Sequence, residues 1–577
     1  MIQKLIPYFR GYGRQAILSP LLVILETVCE LLMPLLMARI IDVGIRGENL
    51  SVILWSGLGM LILATVAMFC GAQAARAAAW AAQGMGANLR RAQFDKISSF
   101  SFSDIDRFSS ASLITRMTND ITNIQQMSVM CLRVLIRAST MLVAALTLSF
   151  SLSPRLALIV CLCLPVLAAA LGGLMLICHP LFQKMQQAID RLNEAVQENL
   201  VAIRVVKSYV RGSYEREKFQ QANDHFTRTG LSAVLRVIFL QPILMMGIAV
   251  TTVLVFYNGG NLVLQGGLEV GDLQALINYI SQILFSVMMV GMALLQYIRA
   301  QASAQRVFEV LDTRPDIVDG PARDLPAPQG RVEFDKVCFK YHSDGSGDDV
   351  LREVSFAVEP GQFLAIVGGT GTGKSSLVHL IPRFYDVTGG RVLVDGMDVR
   401  DYPLDQLRGR IGMVLQNNLL FSGTIRDNLL WGKRDATEAE LIQAAKSAQA
   451  YDFITAFPDG FDTLLEQGGV NVSGGQKQRL CIARAMLRQP SILILDDSTS
   501  AVDSATEGRI RESFRNTLKN TTVIIIAQRI SSVQYADRIV VLDEGTVAGI
   551  GTHEELLAHN PIYQEIYHSQ QEGVQPA

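Results

Sequence analysis

Apolar positions run in long blocks through the first half of the chain, then shorten to strand-length runs after residue 310. A bilayer-spanning helix needs roughly 20 mostly apolar residues. Six blocks qualify: about 15–42, 53–75, 131–152, 154–178, 233–257 and 273–298. Ser153-Pro154-Arg155 alone separates the third from the fourth, which predicts a tight hairpin. Polar stretches follow the second block (about 76–130) and the fourth (about 179–232). They carry Arg90, Arg91, Lys96, Arg107, Arg116, Lys184, Arg204, Lys207, Arg211 and Lys218, whereas Asn258 to Asp272 has no Lys or Arg. The positive-inside rule then puts both termini and the C-terminal half in the cytoplasm. Ala74 to Phe100 and Met185 to Phe219 have few helix breakers, so the spans should continue as helices beyond the bilayer. Each should reverse in a short turn, near Phe102–Phe108 and near Tyr209–Tyr214.

Ionisable residues inside a span are costly and mark function by default. Glu26 and Glu30 lie four apart on the first span, on one helical face. One reading is a contact with cargo. The preferred one is an ion pair with Arg133 or Arg137 of the third span. The sixth span carries Gln282, Ser286, Met288, Met289, Met292 and Gln296. Methionines suit an adaptable, weakly selective surface. Glu26, Glu30, Gln282, Met289 and Gln296 are therefore the candidate cargo contacts. Pro20, Pro34, Pro165 and Pro242 are candidate kinks.

Composition agrees with a membrane protein: half of the 577 residues are apolar. A formal net charge of −2 gives no reason to expect a nucleic-acid partner. Six of the eight cysteines sit in apolar segments and read as small hydrophobes, without disulfides. No small-residue cleavage site follows the first block, so it reads as an uncleaved helix. Residues 312–330 are rich in Pro, Gly and Asp and read as a linker between a membrane domain, 1–311, and a soluble domain, 331–577.

The soluble domain carries the chemistry. Residues 368–376, GGTGTGKSS, fit G-x-x-x-x-G-K-S/T between a strand-like run, Phe363 to Val367, and a helix-compatible one, Ser376 to Ile381. Such a loop cradles phosphates with backbone N–H groups. Gly368, Gly369, Thr370, Gly371, Thr372 and Gly373 form the cradle. Lys374 reaches the β- and γ-phosphates, Ser375 ligates Mg²⁺, and Ser376 completes the motif. Val337 to Tyr341 alternates like a strand and ends in a ring that can stack on adenine. Gln416 ends the run IGMVLQ, within reach of Mg²⁺ or the attacking water. VSGGQKQR opens a helix at Val472, a second anion-binding terminus. Ser491 to Leu495 is a buried-strand run ending in Asp496-Asp497, beside the metal position. Val523 to Ile526 is another, followed by Ala527-Gln528-Arg529.

These motifs, in this order, resemble the nucleotide-binding domain of an ATP-binding cassette (ABC) transporter. The six-span half resembles the exporter-type transmembrane domain. The implied fold is an α-helical six-span exporter-type domain followed by an α/β P-loop ATPase domain, with ATP and Mg²⁺ as cofactors. By resemblance, Tyr341 stacks on adenine and Gln416 is the Q-loop glutamine. Ser473, Gly474, Gly475 and Gln476 form the signature, Asp496 is the Walker B aspartate, and Asp503 is the D-loop aspartate. With Ser375 and Gln416, Asp496 would bind Mg²⁺. The turns near Asp104–Arg107 and Arg211 look like coupling helices.

Two positions depart from the family pattern. The catalytic glutamate is Asp497, whose carboxylate sits one methylene further back. The switch histidine is Gln528, which cannot become a cation. A softer departure is Gln467-Gly468-Gly469, where many relatives have Glu-Arg-Gly. The resemblance thus implies a chain whose own Walker site binds ATP and hydrolyses it poorly. Its intact signature would serve ATP held by a second half-transporter that keeps the Glu and the His. The expected activity is ATP-driven export of lipophilic compounds across the cell membrane by alternating access. A homodimer with two slow sites, a lipid or import-type carrier, and an ATP-gated regulator remain open. Six spans exclude a soluble P-loop enzyme.

Overall fold

The computed structural model describes residues 2–341, 349–497 and 504–572. The chain folds as two compact units. Met1–Ile97 with Ala111–Thr313 form the helical unit, and Ser98–Ser110 with Arg314–Ala577 form the nucleotide unit.

Among the described residues, six helices are long and apolar enough to cross a membrane: Gly13–Ile45, Leu50–Ser98, Ser110–Leu152, Pro154–Val201, Gly212–Leu264 and Val270–Asp312, here spans one to six. Five of them run 43 residues or more. At 1.5 Å per residue such helices outreach a hydrocarbon core about 30 Å thick, as the breaker-poor polar stretches predict. The turn near Tyr209–Tyr214 forms between Ser208 and Gly212, with Val210 at a positive φ of 54°. Helix continues through Pro20, Pro34 and Pro165. Span five instead breaks at Ile238–Phe239. Pro242 has no N–H to donate to the carbonyl four residues earlier, that of Ile238.

From Ala67 to Ala82 every buried residue of span two is small: Ala67, Cys70, Gly71, Ala74, Ala77, Ala78, Ala81 and Ala82. Small residues let neighbouring helices approach closely, and for the part within the spanning block, Ala67 to Ala74, this supplies the dispersion contact that replaces the hydrophobic drive missing in lipid. A Cβ on Gly84 would sit 2.3 Å from the Tyr12 ring, so that crossing tolerates only glycine.

In the nucleotide unit, β1 (Val332–Phe339), β2 (Leu351–Val358), β4 (Gly389–Val394) and β5 (Met397–Asp398) make an antiparallel sheet in the order β2-β1-β4-β5. The main sheet adds β3 (Phe363–Gly368), β6 (Ile411–Val414), β9 (Ile492–Asp496), β10 (Thr522–Ile526), β11 (Arg538–Asp543) and β12 (Thr546–Gly551). Its order is β12-β11-β3-β10-β9-β6. A short ribbon pairs β7 (Gly423–Thr424) with β8 (Leu464–Leu465). β9 and β10 are buried at every position, as parallel strands covered on both faces must be. Pairing sets Ile526 beside both Ile366 and Asp496. The carboxyl ends of β3, β10 and β9 therefore coincide at one sheet edge, where ligands bind in open α/β sheets.

The stretch from Thr313 to Arg331 forms no helix or strand. It lies along the nucleotide unit, with Gly320 N–H donating to the Tyr402 carbonyl at 2.9 Å and Leu404 N–H donating to Asp319 at 2.8 Å.

Candidate functional site

The loop after β3 needs glycine for its backbone. Gly368, Gly371 and Gly373 have φ of 156°, 84° and 90°. A Cβ on Gly368 would also lie 2.3 Å from the Leu542 carbonyl. The loop feeds the helix Lys374–Leu380. The Lys374 ammonium folds back onto the Gly368 and Gly369 carbonyls, at 3.0 and 2.5 Å. Burial lowers its pKa from the ordinary lysine range, against the opposing pull of Asp497 and Asp496.

Ser375 donates its hydroxyl to Asp496 Oδ1 at 2.9 Å. Asp496 is buried, and His379 Nε2 lies 3.6 Å from its Oδ2. Two hard oxygen donors, one anionic, thus converge beside the phosphate loop, a set that fits Mg²⁺. Gln416 is exposed two residues beyond β6. β6 pairs with β9, so Gln416 reaches the same edge as Asp496. The Tyr341 hydroxyl lies 2.7 Å from Ser376 Oγ. Its ring meets Phe339 and Tyr385 edge-on, at 5.0 and 5.2 Å. Ser473 caps the helix Gly474–Leu487 in a reciprocal box with Gln476, which leaves the helix terminus formed before any ligand arrives. Asp503 lies outside the described residues.

The two positions that depart from the pattern touch. Gln528 Nε2 donates to Asp497 Oδ2 at 2.8 Å. Asp497 sits at φ 45°, and its N–H donates to the Ile526 carbonyl at 3.1 Å. Burial, then the neighbouring Asp496 charge, raises the Asp497 carboxyl above the usual range; Lys374, Gln528 and Arg529 pull the other way. Nothing in the separate runs LILDD and IIIAQR announces this contact. It arises because β9 and β10 are neighbours in register.

Helix Phe102–Phe108 belongs to the nucleotide unit. Ser101 and Asp104 cap it reciprocally. Phe102 stacks on Phe384 at 4.4 Å, and Tyr385 donates to Asp106 at 2.8 Å. Tyr385 therefore joins this helix to the ring of Tyr341. Tyr385→Phe keeps the ring and removes one hydrogen bond, worth about 0.5–1.5 kcal/mol. Amide exchange across Phe102–Phe108 should speed up about 2- to 10-fold, with ATP affinity unchanged in a fluorescent-nucleotide titration.

In the helical unit, Arg137 binds both span-one carboxylates. Its Nη1 donates to Glu26 at 2.8 Å, and Nη2 donates to both Glu30 oxygens at 2.7 and 2.8 Å. Arg137 is thus the partner, while Arg133 lines a neighbouring pocket of about 360 Å³ with Glu26 and Glu30. Arg133 sits within a π-helical turn, Met130–Leu135, and Arg137 in the α-helix that follows, Ile136–Leu152. Sequence reasoning missed Gly71: a Cβ there would sit 2.7 Å from Glu26 Oε1. Gly71→Ala should push Glu26 off Arg137 and cost about 1–3 kcal/mol, read as a lower Tm.

A cavity of about 1010 Å³ opens among spans one, two, three, five and six. Gln282 and Met289 line it, as do Glu30, Arg137 and Met33, Met37, Met60, Met141, Met245 and Met288. Gln282 Oε1 is buried without a hydrogen-bond partner among the described residues. Glu26 faces the side pocket instead. Gln296 is not part of the cavity wall; its amide lies 3.5 Å from Gln126, on a stretch of span six beyond the wall residues.

Comparison with known proteins places this arrangement. Residues 16–287 match the ABC transporter transmembrane region, and residues 351–500 match the ABC transporter domain. An uncharacterized ABC transporter ATP-binding protein of Bacillus subtilis, YfiB, is 39% identical over 99% of this chain and 98% of its own length. A putative multidrug export ATP-binding/permease protein of the same organism, YgaD, is 31% identical over 98% of this chain and 99% of its own. A fatty acid ABC transporter ATP-binding/permease protein of Mycobacterium bovis is 36% identical over 83% of this chain and 75% of its own. Among solved structures, a bacterial Atm1-family ABC exporter with ATP bound superposes with a TM-score of 0.80 at 27% identity, covering 98% of this chain and 99% of that one. The six spans, the phosphate loop opposite Asp496 and these relatives together make the chain a member of the ABC transporter family, an exporter-type half-transporter with its transmembrane and ATP-binding domains fused.

Proposed function

We propose that this chain is one subunit of a heterodimeric exporter of lipophilic compounds, and that its own Walker site binds ATP but hydrolyses it poorly. The observation that carries the reading is the Gln528–Asp497 bond. A shortened carboxylate already engaged by an amide is a weak base for water at the γ-phosphate, and geometry limits such catalysis before pKa does. The means of holding Mg-ATP are present in Lys374, Ser375, Gln416 and Asp496, with Tyr341 against adenine. Mg²⁺ bound at Ser375, Gln416 and Asp496 would neutralise the phosphate charge. The signature, Ser473 to Gln476, would serve ATP on a partner half-transporter that supplies the Glu and the His. The protein would sit in the cell membrane with both termini and the nucleotide domain cytoplasmic. ATP closes the nucleotide domains and biases the spans outward, and hydrolysis at the partner's site resets them. The own site acts as a binding module on that two-state equilibrium.

The methionine-rich cavity supports a lipophilic cargo. Arg137 is already neutralised by two carboxylates, which favours neutral or cationic amphiphiles. The fatty-acid relative supports a second reading, a lipid or fatty-acid carrier. Uptake into inverted vesicles separates the two by cargo and by direction. The heterodimer is tested by purifying the chain alone and with candidate partners. Near-silence alone and activity with a partner is expected. A homodimer with brisk, cargo-stimulated ATPase overturns the reading.

A further inference from the structure

The last described helix, Pro561–Glu572, returns to the ATP site. Its Gln570 side chain donates from Nε2 to the Gln528 carbonyl at 2.7 Å. The same side chain accepts at Oε1 from the Ile530 N–H at 2.9 Å. One carboxamide thus ties the backbone on both sides of Arg529. Within the same turn, the Gln528 side chain reaches Asp497. The helix is itself anchored. Tyr563 is fully buried, its hydroxyl lies 2.8 Å from His553 Nδ1, and its N–H donates to Asn560 at 2.9 Å. Asn560 in turn donates to the Ala548 carbonyl of β12 at 3.1 Å. A Cβ on Gly549 would stand 2.4 Å from Asn560 Nδ2, so the seat is closely fitted.

We propose that Gln570 is the positioning residue of the Gln528–Asp497 pair, so that the C-terminal helix sets how the chain's own ATP site acts on its nucleotide. The inference rests on the reading of that site as impaired. Gln528 is exposed, and an exposed amide has many rotamers to lose in holding one bond. Its backbone follows the buried strand β10, which ends two residues earlier at Ile526, so the strand holds it from one side only. The second constraint comes from Gln570, which fixes the carbonyl of Gln528 and the N–H two residues on. A glutamine suits both bonds because it carries a donor and an acceptor on one planar group. Glutamate keeps the acceptor for Ile530 and sets an anion against the Gln528 carbonyl. Gln570 itself does not touch nucleotide or metal; it acts through the turn.

Two double-mutant cycles on the full-length chain test this. The readout is single-turnover hydrolysis of Mg-ATP in detergent, for Asp497→Glu, Gln528→His and both together. In the wild-type background the double change should exceed the product of the singles by about 5- to 10-fold, the coupling expected of side chains in contact. With Gln570→Ala, the excess should fall to about twofold or less. Gln570→Glu should lie between. Melting curves and fluorescent-ATP titrations accompany every variant, because a helix that merely supports the fold would lower Tm and leave the excess intact. That result, or an absent excess in the wild-type background, overturns the proposal. Brisk turnover by the unmodified chain overturns the impaired-site reading instead, and leaves the cycles readable.

Discussion

Asp497→Glu with Gln528→His raises the ATPase rate of the chain assayed alone by about 10²–10⁴-fold, the usual worth of a positioned general base. The added methylene carries the carboxylate toward the γ-phosphate. The imidazole restores a group that can carry charge beside it. Neither change alone reaches this gain. With Gln528 kept, an amide still engages the carboxylate at this position, as it does Asp497 at 2.8 Å. With Asp497 kept, the histidine meets a carboxylate that is too short. The measurement is steady-state phosphate release, with Lys374→Ala as the silent control. A wild-type rate equal to that of the double variant would make Asp497 a working base and the protein a homodimeric exporter.

Arg137→Ala is expected to cost about 3–5 kcal/mol, the largest single effect in the helical unit, because it strands two carboxylates that shared one guanidinium. The side chains of Glu26, Glu30 and Arg137 are 8%, 27% and 29% exposed, so water screens them poorly. The loss should appear as a lower Tm and poor recovery of dispersed protein from detergent. Replacing all three together, as Glu26→Gln, Glu30→Gln and Arg137→Met, should be nearly neutral for stability, since desolvation and attraction disappear together. If the triple variant folds and still transports, the cluster is a structural ion pair. If it folds and loses transport, Glu30 and Arg137 also touch cargo, as their place on the cavity wall allows.

Much of this protein is local and therefore legible in its residues. Spanning length depends only on a run of apolar side chains, so six helices follow from composition along the chain. The phosphate loop is a backbone conformation that its own glycines permit, and Ser375 and Asp496 are each announced by the strand beside them. The signature helix begins where Ser473 and Gln476 cap it, three residues apart. Contacts across sequence distance follow different rules. Arg133 and Arg137 are equal candidates in the sequence, and only the packing of span three against span one selects Arg137, whose guanidinium reaches both carboxylates. Gln296 looked equivalent to Gln282 and Met289 on span six, yet the cavity wall does not extend to it. Tyr385 and Gln570 carry no motif of their own. They matter because the segment Ser98–Ser110 and the C-terminal helix both pack onto the nucleotide fold. The residues alone determined which positions depart from the family's catalytic pattern, Asp497 and Gln528. Only the parallel pairing of β9 with β10 decided that these two touch, because strand register, set by burial on both faces, is a property of the whole sheet.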